Sequence, residues 1–194
     1  PGASRVYMMA LSGLTDTAQT RKLQQVLCAV SLYNPGIGYC QGMSYVAAVL
    51  LMYVSPPEAF WLLNWMLQDL PNALGSYYTR SMSGVIRDSS LFAHMIGIHL
   101  PSLHRHLVRR PAAIHTTCMH VCRQAANHSL TLHDGRHGIH ELMYATPWFM
   151  TLFTSLPSWS SALRVFDMFF LEGTPAIFRF SMAVLQICEG MAPC

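Results

Sequence analysis

A glycine-punctuated turn at residues 34–42 leads into an apolar segment that runs to Val54, and the turn carries one glutamine, Gln41. Tyr39 lies two residues before this glutamine, and Gly42 directly follows it. A glutamine amide donates and accepts hydrogen bonds, so its carbonyl oxygen can hold a water molecule while its NH₂ group is anchored. Phosphoryl-transfer sites use a glutamine in this way, and Gly42 would let a partner's backbone approach closely. The alternative is that Gln41 only caps the helix that follows it.

A charged pair, Arg164 and Asp167, is spaced three residues apart inside a helical pattern. Residues at i and i+3 are neighbours on one helix face, so the spacing predicts a structural ion pair or a buried hydrogen-bond anchor. We assign this pair an architectural role rather than a catalytic one.

Histidine is confined to one part of the chain, because all ten histidines lie between His94 and His140. Within that part, residues 111–137 are poor in long apolar runs, and we interpret them as a loop insertion. Cys118 and Cys122 lie among these histidines, and thiolate with imidazole suits zinc. Their spacing is loose and matches no common zinc pattern, so we predict no metal site. A zinc-stabilised interaction domain built on these two cysteines remains a rival interpretation.

Composition excludes several classes of protein. The 194 residues are 52% hydrophobic and 11% charged, and the net charge of +3 is too weak to indicate nucleic-acid binding. The apolar runs end at residues 55–58 and 68–69, before either is long enough to cross a bilayer, and no signal peptide is visible. The six cysteines are scattered, which is typical of reduced core thiols rather than a disulfide framework. We therefore expect a cytoplasmic protein.

Helices must position these residues, because helical periodicity extends along almost the whole chain. An apolar stripe with i, i+3, i+4, i+7 spacing predicts a helix that stops at Asn34; it is formed by Leu23, Val26, Leu27 and Val30. A second helix is predicted to start near Gln41, and a third has Pro57 in its first turn. Further helices are predicted at residues 85–98, 101–108, 139–154, 159–171 and 175–188. No segment alternates with period two for long enough to require a sheet, so the fold class is all-α.

The motif Tyr39-Cys40-Gln41-Gly42, preceded by Tyr33-Asn34-Pro35, resembles the Tyr-x-Gln signature of the TBC (Rab GTPase-activating) domain family. Further matches follow in family order over nearly the whole chain, at residues 58–61, 100–103, 146–149, 163–167, 171–173 and 177–179. The resemblance implies a single, two-lobed TBC domain over residues 1–194. It also implies that this domain is truncated at both ends and that residues 111–137 are an insertion atypical of the family.

The resemblance further implies a GTPase-activating protein for a Rab-type GTPase, which is not a stand-alone enzyme. It would supply two catalytic fingers in trans, while GTP and Mg²⁺ would belong to the GTP-bound partner. Gln41 would be one finger, supported by Tyr39 and Gly42. The other would be an arginine, a permanent cation with a planar fork of donors. Arg5 lies a few dozen residues upstream, as in the family, but Gly2 occupies the position of the family's aspartate.

The mismatch at Gly2 supports an alternative, a TBC-like module that binds a Rab GTPase with weak or no acceleration. In either case the resemblance implies a role in vesicle trafficking and a cytoplasmic protein recruited to endomembranes through its partner. The sequence does not identify the Rab protein.

Overall fold

The computed structural model describes residues 17–68, 74–109, 142–154 and 158–191. Within these ranges the backbone forms helices and no strand, which confirms the predicted all-α class for this part of the chain. The helices are, in chain order, α1 (Thr17–Tyr33), α2 (Met43–Tyr53), α3 (Pro56–Gln68), α4 (Gly75–Tyr78), α5 (Ser83–His99), α6 (Pro101–Arg109), α7 (Leu142–Thr151), α8 (Trp159–Glu172) and α9 (Thr174–Met191).

Most predicted helices are present, and the differences lie at their ends. The second helix begins at Met43, so Gln41 lies in the turn that precedes it. The helix predicted at residues 139–154 ends at Thr151, because Leu152 and Phe153 adopt left-handed backbone conformations with φ of 46° and 59°. The four-residue helix α4 was not predicted, since one turn is too short to show a period.

The N-terminal helices pack together around α2. Helix α1 contacts α2 and α3, and α2 also contacts α3. Val26 and Val30 are the buried residues of the predicted α1 stripe, whereas Leu23 and Leu27 are half-buried. Helix α2 is apolar on most of its surface, and six of its eleven residues are buried, which is typical of a helix inside a core.

An aromatic core joins the middle of the chain to its C-terminal helices. Phe149 of α7 lies 6.1 Å from Tyr77 of α4, 5.8 Å from Phe92 of α5 and 5.5 Å from Phe178 of α9, measured between ring centroids. Helix α9 also packs against α8. Large rings bury much apolar surface, so this cluster holds four helices together.

Several sequence predictions concern cysteines, metals and membranes. Cys188 is buried as predicted, but Cys28 is exposed, so the core prediction is wrong for that residue. No group of side chains within the described ranges is suited to hold a metal ion. Cys118, Cys122 and the predicted insertion at residues 111–137 lie outside those ranges. Among the described helices, none combines the length and hydropathy that a membrane span requires.

Candidate functional site

The loop of residues 34–42 connects α1 to α2, and it begins with a buried asparagine. The backbone N–H and the side-chain Nδ2 of Asn34 both donate to the carbonyl of Val30 at 3.0 Å, which closes the last turn of α1. The Asn34 carbonyl then accepts from the N–H groups of Ile37 and Gly38 at 3.0 and 2.8 Å. Gly38 has φ of 68°, a conformation that glycine adopts without steric cost. One residue therefore ends the helix and fixes the turn that follows.

At the other end of the loop, Gly42 packs against α7. This residue is buried, is the N-cap of α2 and has φ of 111°. A Cβ at this position would lie 3.2 Å from the Met150 carbonyl oxygen and 3.3 Å from the Met150 Cβ. The same carbonyl accepts a hydrogen bond from the buried Tyr78 hydroxyl at 2.7 Å, so its position is fixed. The close approach predicted at Gly42 is therefore made within the chain, to Met150.

Between these two anchors, side chains alternate between the solvent and the core. Tyr39 is 57% exposed and Gln41 is exposed, whereas Cys40 between them packs against the core. The Cys40 N–H donates to the Met43 Sδ at 3.2 Å. Burial raises the pKa of the Cys40 thiol above its ordinary value, so this cysteine stays protonated near neutral pH. Cys40 is a packing residue that leaves Tyr39 and Gln41 facing outward.

Helix α2 is not capped by the Gln41 side chain. Its N-cap is Gly42, and no side chain makes a capping hydrogen bond there. Within the described part of the chain, the Gln41 amide group forms no hydrogen bond with another protein group. Its carbonyl oxygen and NH₂ group remain available to a partner, so the capping alternative does not describe this structure.

Three side-chain amides, which we call the amide cluster, lie beneath the loop: Asn34, Asn64 and Gln68. The Asn34 Nδ2 donates to the Asn64 Oδ1, and the Gln68 Nε2 donates to the Asn34 Oδ1. Asn64 in turn donates to the Phe60 carbonyl at 2.8 Å. No role was predicted for these amides from the sequence. The available signal was Asn64, a polar residue inside an otherwise apolar helix.

Aromatic side chains lie beside the start of the loop. Tyr33, the last residue of α1, makes edge-to-face contacts with Phe60 and Trp61 of α3, with ring centroids 5.6 and 5.9 Å apart. Trp61 is 59% exposed and Phe60 is half-buried. These rings give the surface next to the loop an apolar character.

The remaining predicted residues are not brought to this loop by any described contact. Arg164 and Asp167 lie on α8 with 3.9 Å between nitrogen and oxygen, and their side chains are 81% and 67% exposed. The buried-anchor alternative is therefore wrong, and an exposed pair of this kind contributes less than about 1 kcal/mol to stability. Arg5 and Gly2 lie outside the described residues.

Comparison with known proteins gives matches along most of the chain. The model of the Rab-GTPase-TBC domain family matches residues 7–191. Homo sapiens TBC1 domain family member 10B is 33% identical over 84% of this chain and 17% of its own length. Mus musculus TBC1 domain family member 10A is 34% identical over 87% of this chain and 28% of its own length. Mus musculus Carabin is 32% identical over 87% of this chain and 31% of its own length. The chain thus spans less than a third of each of these relatives.

Proposed function

Because the chain belongs to the Rab-GTPase-TBC domain family, we propose that it accelerates GTP hydrolysis by a Rab-type small GTPase. The partner would bind GTP and Mg²⁺, and this chain alone would hydrolyse nothing. The observation that carries the proposal is the exposed Gln41, whose amide forms no hydrogen bond within the described residues and lies on a loop anchored at both ends.

Gln41 has the chemistry to orient the attacking water. Its carbonyl oxygen accepts a hydrogen bond from the water, and its NH₂ group donates to an acceptor of the bound GTPase. Phosphoryl transfer needs positioning and charge stabilisation more than covalent chemistry from the protein. Since the loop is fixed at Asn34 and at Gly42, the backbone of Gln41 would already be in place when the nucleotide arrives, and only its side chain would lose freedom on binding.

Arg5 is proposed as the second finger. A guanidinium group neutralises the charge that develops on the transferring phosphoryl group, and such a group raises the rate by roughly 10³- to 10⁵-fold in GTPases. The proposal rests on the position of Arg5 upstream of Gln41 and on the resemblance to the family.

The exposed aromatic residues provide surface for the partner to bury. Tyr39 flanks Gln41, and Tyr33 and Trp61 lie beside the first residue of the loop. Aromatic side chains are enriched in the cores of protein interfaces, where they supply much of the binding energy. We propose that the GTPase docks over this surface, with its nucleotide facing Gln41.

A second candidate function is binding without acceleration. The observation that favours it is Gly2, which stands where the family carries an aspartate near its arginine finger. Without that carboxylate to orient nearby charges, Arg5 would lack a fixed geometry, and a finger depends on such geometry.

Single-turnover GTP hydrolysis across a panel of GTP-loaded Rab proteins tests the proposal. For a responsive Rab, we expect Gln41→Ala to lower the accelerated rate by roughly 100-fold or more, as when one positioned catalytic donor is lost. Arg5→Ala should lower it by about 10³-fold. The control is Gln24→Ala, which changes an exposed glutamine of α1.

Three outcomes are distinguishable. An unchanged rate for Gln41→Ala would contradict the role of the glutamine. Loss of rate with Gln41→Ala but not with Arg5→Ala would remove only the second finger. Tight binding of a GTP-loaded Rab with no acceleration by the wild type would establish the binding module instead.

A further inference from the structure

We propose that the amide cluster of Asn34, Asn64 and Gln68 holds Gln41 in its working position, and that Asn34 is a positioning residue for the reaction. The inference rests on the proposed GTPase activation, and it adds that hydrogen bonds from α3 to Asn34 fix the position of the loop. None of the three amides would touch the nucleotide, since Asn34 and Asn64 are buried and all three act through the loop.

The orientation of each amide follows from backbone carbonyls, which can only accept hydrogen bonds. The Val30 carbonyl requires a donor, so the Nδ2 of Asn34 faces it and the Oδ1 of Asn34 faces the Gln68 Nε2. The Phe60 carbonyl likewise requires the Nδ2 of Asn64, which directs the Asn64 Oδ1 toward Asn34. A flip of any one amide would place two oxygens or two NH₂ groups against each other. The cluster therefore has one favourable arrangement.

Asn34 connects the amide cluster to the loop through its hydrogen bonds. Its side chain is bound to α3, while its backbone carbonyl accepts from Ile37 and Gly38. Every polar group of Asn34 forms a hydrogen bond, namely the two side-chain N–H groups, the side-chain oxygen, the backbone N–H and the backbone carbonyl. Only two residues separate Gly38 from Gln41, and Gly42 is then held against Met150. A shift of Asn34 therefore changes the start of a short segment whose other end is fixed.

Such a shift matters because catalysis by positioning is sensitive to small displacements. A misplacement of about 1 Å can cost roughly 100-fold in rate even when it originates away from the reacting atoms. If the cluster positions Gln41, weakening it lowers the maximal accelerated rate. Docking of the partner depends on the exposed surface, so the half-saturating concentration should change little.

The best place to test the cluster is Gln68. The obvious substitution, Asn34→Asp, would place a buried carboxylate against the oxygens of Val30 and Asn64, and its effect on folding would obscure its effect on rate. Gln68 is exposed at the end of α3 and contributes one donor to the cluster. Gln68→Glu removes this donor with little change in shape, whereas Gln68→Lys keeps an N–H donor.

The experiment measures single-turnover GTP hydrolysis by a GTP-loaded Rab at increasing concentrations of each variant of the full chain. We expect Gln68→Glu to lower the maximal rate by about two- to tenfold, the loss expected for one hydrogen bond, with the half-saturating concentration unchanged within about twofold. Gln68→Lys should restore the maximal rate. Gln24→Glu makes the same charge change at an exposed position of α1, and its maximal rate and half-saturating concentration should equal those of the wild type.

Amide hydrogen exchange gives a second readout that needs no partner. Exchange at Ile37 and Gly38, which donate to the Asn34 carbonyl, should be about two- to tenfold faster in Gln68→Glu than in Gln24→Glu. A merely structural role would lower global stability without this local change or its reversal by Gln68→Lys.

The outcomes separate this inference from the proposed function. If the wild type accelerates hydrolysis and Gln68→Glu changes neither the maximal rate nor the exchange, the inference is wrong. It is also wrong if Gln68→Lys is as impaired as Gln68→Glu. If the wild type accelerates no Rab in the panel, the proposed function fails. The exchange at Ile37 and Gly38 then decides alone whether the cluster holds the loop.

Discussion

Two polar clusters of this molecule, each built around a buried residue, differ in charge and in the helices that they join. The amide cluster is neutral and links α1 and α3 beneath the Gln41 loop. The other cluster, which we call the carboxylate cluster, consists of Asp88, Tyr77 and Arg87. Asp88 is buried and accepts from the Tyr77 hydroxyl at 2.6 Å and from the Arg87 Nε at 2.7 Å. It joins α4 to α5.

Because of this difference in charge, we expect the carboxylate cluster to matter mainly for stability and the amide cluster mainly for the site. A buried carboxylate must be compensated by donors, and removing one partner leaves a costly group behind. Burial, together with the hydrogen bond to Asp88, raises the pKa of Tyr77 above its ordinary value, so Tyr77 remains a donor. Neutral amides carry no such charge penalty, and their value lies in fixed geometry. We therefore expect changes to the carboxylate cluster to affect mainly unfolding and changes to the amide cluster to affect mainly rate.

The largest effect is expected for Asp88→Ala. This substitution leaves the buried Tyr77 hydroxyl without its acceptor, and we expect it to lower the free energy of unfolding by about 3 kcal/mol. Arg87→Ala removes the other donor to the buried carboxylate, but the Arg87 side chain is 71% exposed, so water can take its place and this variant should cost less than Asp88→Ala. Urea denaturation of both variants measures the difference.

The same variants test whether the carboxylate cluster affects stability without affecting rate. At temperatures where Asp88→Ala is folded, its maximal GTPase-activating rate should equal that of the wild type. Equal destabilisation by Asp88→Ala and Arg87→Ala would show that the buried hydrogen bond is not the source of stability. A large loss of rate in folded Asp88→Ala would remove the proposed division of roles.

The next effect is expected in three glycines of the loop, which form a graded series. Gly42→Ala combines a strained φ of 111° with a close contact to Met150, and should cost about 2 kcal/mol. Gly38→Ala has a φ of 68° but no neighbouring atom within 4 Å, and should cost about 1 kcal/mol. Gly36→Ala has neither problem and should be neutral or stabilising by less than about 1 kcal/mol.

Thermal or urea unfolding ranks the three variants by their free energy of unfolding, and single-turnover GTP hydrolysis then measures their effect on rate. Gly42→Ala should also lower the maximal accelerated rate, because it shifts the anchor next to Gln41. An equal free energy of unfolding for Gly42→Ala and Gly36→Ala would contradict the contact between the loop and α7.

Local features of the sequence predict most of the fold. The apolar stripe before Asn34 predicts α1, and the predictions at residues 85–98, 101–108, 159–171 and 175–188 correspond to α5, α6, α8 and α9. These helices are long enough to show their period. Helix α4 was missed because four residues contain a single turn.

The parts of the site that could not be predicted depend on contacts between distant residues. Gln68 lies 34 residues from Asn34, and Tyr78 lies 72 residues from Met150. Each residue type is compatible with many surroundings, and only tertiary packing brings the partners together.

The smallest effect is expected at the start of α3, the helix that carries Asn64 and Gln68. The backbone N–H and the hydroxyl of Ser55 both donate to Glu58 Oε2, at 2.8 and 2.6 Å. These hydrogen bonds, that of the hydroxyl first, lower the pKa of Glu58 below its ordinary value. A lowered folded-state pKa contributes stability above the ordinary pKa of about 4.3, and this contribution is lost as the pH falls through the folded-state value.

We therefore expect Glu58→Gln to be slightly less stable than the wild type at pH 7 and to equal it near pH 3, which Tm measurements across this range would show. Ser55→Ala, which removes the hydroxyl donor, should weaken the same pH dependence. The amide cluster contains no titratable group. If a fall in pH affects the loop by way of Glu58 and α3, this effect should therefore disappear in Glu58→Gln. A difference in Tm that persists unchanged to pH 3 would show that Glu58 acts through packing and not through its charge.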